Sequence, residues 1–170
     1  MSEKLAIKEI TAVVETLDDL SDILVRIVED GASIGFLTPF SKLDAEQYWQ
    51  AVPGKDVILL IAVDRSKVVG TVQLHLASKP NGLHRAEVAK LLTHPDFQRK
   101  GIGRALMLKA EEMAKKQGRT LLVLDTRKGD PSNLLYTSLG YQLTGEIPLF
   151  AKSSIDGSLE STMVYYKNLE

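Results

Sequence analysis

The chain has 170 residues, enough for one ordinary domain with a sizeable core, and its 44% hydrophobic and 25% charged composition excludes disorder. With 21 basic residues against 22 acidic, the net charge of −1 excludes any general attraction to nucleic acid or anionic membrane, so an anion site has to be local. There is no cysteine, which excludes disulfides, thiolate metal sites and cysteine nucleophiles and fits a cytoplasmic setting.

Met1-Ser2-Glu3-Lys4 is not followed by a long apolar stretch, and no run approaches about 18 apolar residues, so neither an export signal nor a membrane span is expected. Residues 5–14 read as a first strand. Thr16 is placed to cap a helix whose Leu17, Leu20, Leu24 and Ile27 share one face. Gly31-Ala32-Ser33-Ile34-Gly35-Phe36 breaks that pattern, and Asp44 is placed to cap a shorter helix through Trp49 that stops near Pro53. Val57 to Val63, the turn Asp64-Arg65-Ser66-Lys67, and Val68 to Ala77 read as a hairpin. After a turn at Lys79-Pro80-Asn81-Gly82, Arg85 to Thr93 makes a third consecutive antiparallel strand, ended by Pro95.

Ile102, Leu106, Ala110 and Met113 then align on a helix that stops at Gly118. Leu121 to Leu124 form a buried strand ending at Asp125-Thr126, Pro131 to Leu139 suit a short helix, and strand, helix and strand imply a parallel crossover. Tyr141 to Phe150 and Ser161 to Leu169 close the chain as two strands around Asp156-Gly157. Neither an internal repeat nor an interdomain linker is visible, so 1–170 is read as one domain.

Gln98-Arg99-Lys100-Gly101-Ile102-Gly103-Arg104 opens the third helix as a glycine-rich turn. Such a turn presents unpaired N–H groups and the positive end of a helix dipole, which suit a phosphate. Its spacing is neither G-x-G-x-x-G nor a G-x-x-x-x-G-K-[ST] loop, which argues against dinucleotide and nucleoside-triphosphate sites. A helix start that needs small residues for close packing is the competing reading.

The element order, with Leu91-Leu92-Thr93-His94-Pro95 ahead of Gln98-x-x-Gly101-x-Gly103, resembles the GCN5-related N-acetyltransferase (GNAT) superfamily over nearly the whole chain. Leu135-Tyr136-Thr137-Ser138-Leu139-Gly140-Tyr141 is similar to that family's second signature, a tyrosine followed by a Gly-aromatic pair. The resemblance implies a mixed α/β (α+β) fold: a mostly antiparallel twisted sheet of about seven strands flanked by four helices, in the order β-α-α-β-β-β-α-β-α-β-β. Gly31–Phe36, Lys79–Val88, Leu124-Asp125-Thr126, Asp156-Gly157-Ser158-Leu159 and Tyr166-Lys167 look like the branch typified by the tabtoxin-resistance acetyltransferase, which acetylates the amine of an amino-acid-like β-lactam toxin. Two positions depart from the pattern: Leu149-Phe150 stands in place of Gly-Tyr after Pro148, and Gly129 where many members have an Asn that helps hold the cofactor.

The resemblance implies acetyl-CoA as cosubstrate, with its pyrophosphate on backbone N–H groups of Gln98, Arg99, Lys100, Gly101, Ile102, Gly103 and Arg104. It places the pantetheine arm along Leu91, Leu92 and Thr93, with Asn133 and Tyr136 completing the set. A backbone N–H near Leu92 or Thr93 is the implied oxyanion donor. Tyr136 falls where the family protonates the leaving thiolate or anchors the thioester; a core tyrosine is the plainer reading.

An amine of pKa about 10 is neutral in only about one molecule in a thousand at pH 7, so a base helps. Glu87, expected on one alternating face with Ala89 and Leu91, and Asp125, at the end of the next strand, are the candidates. Both can instead bind the substrate's ammonium, or serve as an ion-pair partner for Arg85 or Lys90 and as a turn residue. Ile34, Phe36 and His84 join Glu87 and Asp125 as expected substrate contacts. Phe36, Tyr48 and Trp49 suit a substrate wall; Phe36 and Trp49 equally suit a seal on the core, which is the better reading for Trp49. His75 lies mid-strand and His94 is expected to point to solvent. No His, Asp or Glu set has zinc spacing, so no metal is expected, and Ser132 and Ser138 lack a G-x-S-x-G setting.

The leading expectation is an N-acetyltransferase acting on a small primary amine, with toxin or antibiotic resistance as the closest analogue and neither nucleic acid nor membrane as partner. A protein or peptide N-acetyltransferase and a non-catalytic coenzyme A sensor are the alternatives; an open acidic groove would favour the peptide. The sequence leaves monomer and homodimer both open.

Overall fold

A computed structural model describes residues 5–170; Met1–Lys4, where the sequence suggests no export signal, lie outside the described residues. The elements are β1 (Ala6–Ile10), α1 (Leu17–Glu29), α2 (Lys42–Ala51), β2 (Val57–Asp64), β3 (Lys67–Leu76), β4 (Arg85–Thr93), α3 (Ile102–Lys116), β5 (Leu121–Arg127), α4 (Ser132–Ser138), β6 (Gln142–Lys152) and β7 (Leu159–Asn168). Short 3₁₀ turns at Pro80–Gly82 and Pro95–Phe97 frame β4. The strands form one sheet in the order β1-β2-β3-β4-β5-β7-β6, antiparallel except for β4 beside β5, whose parallel pairing is made through the α3 crossover. The expected α/β fold and element order are those observed. No helix among the described residues is long and apolar enough to cross a membrane.

Both sheet faces are covered, which is why β2 reads as an unbroken apolar run. One face packs α3 and α4: Leu60, Leu74, Ala86, Val88, Leu122 and Leu124 meet Ile102, Leu106, Ala110, Tyr136 and Leu139. On the other, Leu59, Ile61, Val68 and Leu92 meet Leu20, Leu24 and Ile27 of α1 and Trp49 of α2. Trp49 is core, as its helical setting suggests, and its indole N–H donates to Leu20 O at 2.9 Å. Gly70 sets the helix–sheet distance on the α3 side, because a Cβ there would lie 2.7 Å from Ile102 Cγ2 and 3.1 Å from Leu92 O.

Three local expectations need correction. Thr16 does precede α1, but its hydroxyl donates back to Val13 O at 3.3 Å and caps nothing. Ser41, not Asp44, caps α2; Asp44 sits three residues on and closes a reciprocal capping box, its amide donating to Ser41 Oγ and its carboxylate accepting from the Ser41 amide. β5 continues to Arg127, which puts Asp125 inside a strand rather than at its end.

The largest departure lies in β4. Thr71 of β3 faces Leu92, yet Gln73 faces Ala89, so Lys90 and Leu91 together stand opposite Val72 alone. This bulge, with Lys90 at φ +53°, resets the alternation. Leu91 therefore packs in the α3-side core and Leu92 in the α1–α2-side core, whereas unbroken alternation puts Leu91 beside Glu87 and Ala89.

Candidate functional site

β4 and β5 pair only through Arg85–Leu121, Ala86–Leu122 and Glu87–Val123. Beyond Glu87 the two strands part, although β4 runs on to Thr93 and β5 to Arg127. The bulge at Lys90 and Leu91 lies on the parting stretch, and the result is an opening through the middle of the sheet.

At its α3-side mouth is the glycine turn. Arg99 at φ +61° and Gly101 at φ +79° reverse the chain, and α3 begins at Ile102 with no side chain capping it. The first internal hydrogen bond of the helix runs from the Ala105 amide to Gly101 O, so the amides of Ile102, Gly103 and Arg104 have no intrahelical acceptor. Gln98 to Gly101 and Arg104 are exposed. A Cβ on Gly103 would come within 3.3 Å of Leu135 in α4 and 3.9 Å of Leu91, so this glycine lets α4 close on the first turn of α3. The two glycines thus differ in what the backbone asks of them, a left-handed conformation at Gly101 and a close approach at Gly103. Of the basic side chains, Lys100 lies over the Phe97 ring at 5.0 Å and Arg104 donates to Ser138 Oγ at 2.6 Å.

Tyr136 is 6% exposed on α4, packed between Tyr141 and Tyr165. Burial, with the charge of Asp125 adding, pushes its phenol up to about 12. It therefore stays protonated at neutral pH, a proton donor rather than an anion. Asn133, expected among the cofactor contacts, spends its side chain inside the fold: Nδ2 donates to Arg127 O and Asp130 O at 2.9 Å, and Oδ1 accepts from the Tyr165 hydroxyl at 2.8 Å.

The other mouth faces α1 and α2. Because Ala86, Val88, Leu122 and Leu124 fill the α3-side core, Glu87 and Asp125 both point to the α1–α2 face. Asp125 Oδ2 accepts from Thr162 Oγ1 of β7 at 2.7 Å, and Glu87 makes no ion pair within 4 Å among the described residues. His75 is the register partner of Glu87. Its Nε2 donates to Gln73 Oε1 at 2.9 Å, and Gln73 Nε2 donates to the Tyr48 hydroxyl at 2.8 Å. Burial holds the imidazole of His75 below its ordinary range, opposed by Glu87 and aided by Lys90.

Phe36 packs against Phe40 at a tilt of 45° with ring centroids 4.8 Å apart and meets Tyr48 edge-on at 5.1 Å, forming an aromatic wall on that side, with Ile34 half-buried in the same segment. The α1–α2 loop is tied down at both ends. Arg127 Nη1 donates to Gly31 O at 2.9 Å and Thr38 Oγ1 donates to Ser154 O at 3.3 Å. Gly31 lies so close to Ile155 of the β6–β7 tip that a Cβ would come within 2.6 Å.

Two histidines are placed differently from Glu87 and Asp125. His84 is exposed at the closed end of the β4–β5 pair, where its carbonyl accepts from the Thr120 and Leu121 amides. His94, expected at the solvent, is 1% exposed under α1. The Asp96 amide donates to its Nδ1 at 3.1 Å, which leaves the proton on Nε2, 3.3 Å from the Asp22 carboxylate. The Asx-like hold that Pro95 and Asp96 give this ring is what the sequence conceals. Among the described residues no three His, Asp or Glu side chains gather as a metal site.

Lys90 is the residue of this site that motif reading misses. Its one sequence signal is a lysine inside the otherwise apolar stretch Ala89 to Leu92. Gln73, buried and polar in the middle of β3, is the second.

A model of the acetyltransferase (GNAT) family matches residues 17–141. Among solved structures, an N-acetyltransferase from Staphylococcus aureus Mu50 superposes with a TM-score of 0.84 at 13% identity, covering 99% of this chain and 100% of its own. A ribosomal-protein-alanine N-acetyltransferase from Brucella melitensis gives 0.81 at 20% identity, over 96% of this chain and 99% of its own. The yncA protein of Salmonella typhimurium, whose structure holds its cofactor acetyl-CoA, gives 0.79 at 18% identity, over 99% and 95%. At these identities the likeness is one of fold.

Proposed function

The chain belongs to the acetyltransferase (GNAT) family, and on that premise we propose that it moves the acetyl group of acetyl-CoA onto the primary amine of a small, amino-acid-like molecule by direct attack in a ternary complex. The observation that carries this reading is the β4–β5 opening, which has an uncapped helix N-terminus at one mouth and two carboxylates at the other.

Acetyl-CoA supplies the activated acetyl thioester. The residues present fit it: the free amides of Ile102, Gly103 and Arg104 suit a pyrophosphate, and the parted backbone of Leu91, Leu92 and Thr93 suits a peptide-like arm. Gln98, Arg99, Lys100 and Gly101 complete the phosphate turn. An amide at Leu92 or Thr93 is the oxyanion donor. On the acceptor side, Glu87 and Asp125 draw in the ammonium and take its proton, directly or through water. Tyr136 holds the proton that a departing thiolate needs, and its elevated phenol keeps that proton in place until then. Ile34 and Phe36 form the wall against the acceptor's body, and His84 lies farther out, at its approach.

The tethered α1–α2 loop narrows the acceptor side, which supports a small molecule over a peptide. The Gly31–Phe36 and Lys79–Val88 motifs support the toxin- or antibiotic-resistance branch within the family. We read residues 1–170 as one domain working in the cytoplasm.

The test is acetyl-dependent thiol release with acetyl-CoA against amino acids, amino-β-lactams, aminoglycosides, polyamines and peptides. The chain has no cysteine to add background. Release with free amino acids or amino-β-lactams is expected; release with peptides alone gives the peptide reading, and none with any amine overturns the proposal.

A further inference from the structure

The bulge in β4 does more than reset a register. It lifts one lysine out of the pleat and aims its ammonium at the α1–α2 loop. A Cβ built on Gly35 would lie 3.8 Å from Lys90 Nζ, so the charge sits under that loop, next to the aromatic wall begun by Phe36.

The ammonium is half-buried, and burial pulls its pKa down while the charges of Asp125 and Glu87 oppose the shift. Those carboxylates are near enough to be felt but not to pair: among the described residues Lys90 makes no ion pair within 4 Å and no side-chain hydrogen bond. An ammonium carries three donors, and because no protein acceptor among the described residues lies within reach of these three, they are left to solvent at the mouth or to a bound ligand. Such a cation is accommodated when a ligand brings the acceptors.

The charges around it restrict which ligand that is. A simple anion is repelled by Glu87 and Asp125, and a polyamine is repelled by Lys90. A molecule with an ammonium and a carboxylate a few bonds apart satisfies all three, its ammonium toward Glu87 and Asp125 and its carboxylate toward Lys90. We propose that Lys90 binds the acceptor's own carboxylate, so that the acceptor is a free amino acid or a close relative with its carboxylate unblocked. This rests on the acetyl-transfer reading of the same site and adds the substrate class.

The test uses the twenty L-amino acids and their primary amides as acceptors, with acetyl-CoA, for the wild type, K90M and K90R. The wild type is expected to prefer the best free acid over its own amide by about 10- to 100-fold in kcat/KM, the range of one charge-assisted hydrogen bond. In K90M that ratio falls to near one, and K90R restores part of it. An acetyl-CoA-dependent rise in Tm in each variant shows that the fold is intact; should K90M lose it, the ratio is read from K90R against wild type. An equal loss on acid and amide in K90M, or a wild type that prefers amides, polyamines or aminoglycosides, overturns the Lys90 assignment and leaves acetyl transfer standing. Acetyl-CoA binding with no acetyl transfer to any amine removes both.

Discussion

On the α3 side of the β4–β5 opening the chain offers mainly backbone, in the form of uncapped amides, two left-handed residues and a parted strand edge. On the α1–α2 side it offers side chains, namely Glu87, Asp125, Lys90, His75 and an aromatic wall, drawn from β3, β4, β5, the α1–α2 loop and α2. A ligand common to a whole family can be held by backbone, which hardly depends on side-chain identity. A ligand peculiar to one member has to be read by side chains, and here these come from segments as far apart in sequence as Phe36 and Asp125. Tyr136 is the exception, a side chain on the backbone-built side.

That exception gives the largest expected effect. Tyr136→Phe keeps the packed ring and removes one proton, so kcat should fall roughly 100-fold or more, the usual range for a general acid, with acetyl-CoA affinity within about twofold. Steady-state kinetics beside calorimetric binding measures both. Unchanged turnover would make Tyr136 a packing residue and leave the α3 side with backbone alone.

Gly103→Glu tests the backbone side directly. Acetyl-CoA at about 100 times its Kd should stabilise the wild type by about 2.7 kcal/mol, a rise in Tm of roughly 5–10 °C. The new side chain has Leu135 and Leu91 in its way and brings a negative charge to the turn proposed to hold the pyrophosphate, so the rise should vanish. Arg99→Ala, which removes an exposed side chain and leaves the amides, should keep most of it. If Arg99→Ala abolishes the rise, side chains hold the phosphate and the contrast between the two mouths fails.

On the acceptor side a single side-chain change should matter more for the acceptor than for acetyl-CoA. Asp125→Asn is expected to raise the acceptor KM about 10-fold if the carboxylate only binds the ammonium, the size of one charge-assisted contact. If it also takes the proton, kcat falls as well and the acidic limb of the pH–rate profile moves. Glu87→Gln, made in the same way, separates the two carboxylates.

What the sequence conveys follows the same division. The glycine turn and the Tyr136 signature are local, their residues contiguous, and the elements around them are bounded by Pro95, Gly118, Pro131 and Gly140. Element order and the seven-stranded sheet are legible for that reason. The bulge is not: nothing in Ala89-Lys90-Leu91-Leu92 says that β4 has one residue too many, because the surplus exists only against Val72 of β3. Alternation counted through it puts Leu91 on the wrong face and overlooks Lys90. His94 is hidden in the same way, since its carboxylate partner Asp22 lies about 70 positions earlier in the chain. Thr16 and Asp44 are smaller cases in which the right residue types stand near a helix start, and only the backbone decides which one caps.

The smallest expected effect concerns the proton on Tyr136. Its phenol is raised from 10.0 to about 12 in the fold, so the folded state holds the proton more tightly than the unfolded chain does. For a group shifted upward, that stabilisation is fully present below the unfolded value and is lost as pH rises through the folded one. Below pH 10 the wild type and Tyr136→Phe should therefore differ by a constant amount. By pH 11 the wild type should have lost about 1 kcal/mol more than the variant, following from a shift of about two units. Tyr141 is raised further, by burial and then by Glu111 and Tyr136, so the comparison is repeated with Tyr141→Phe in both backgrounds to remove its share. Urea unfolding of the pair at pH 9, 10 and 11 reads this directly. Parallel curves across that range would mean that solvent reaches the hydroxyl, and a phenol open to water would not hold its proton back for the one step that needs it.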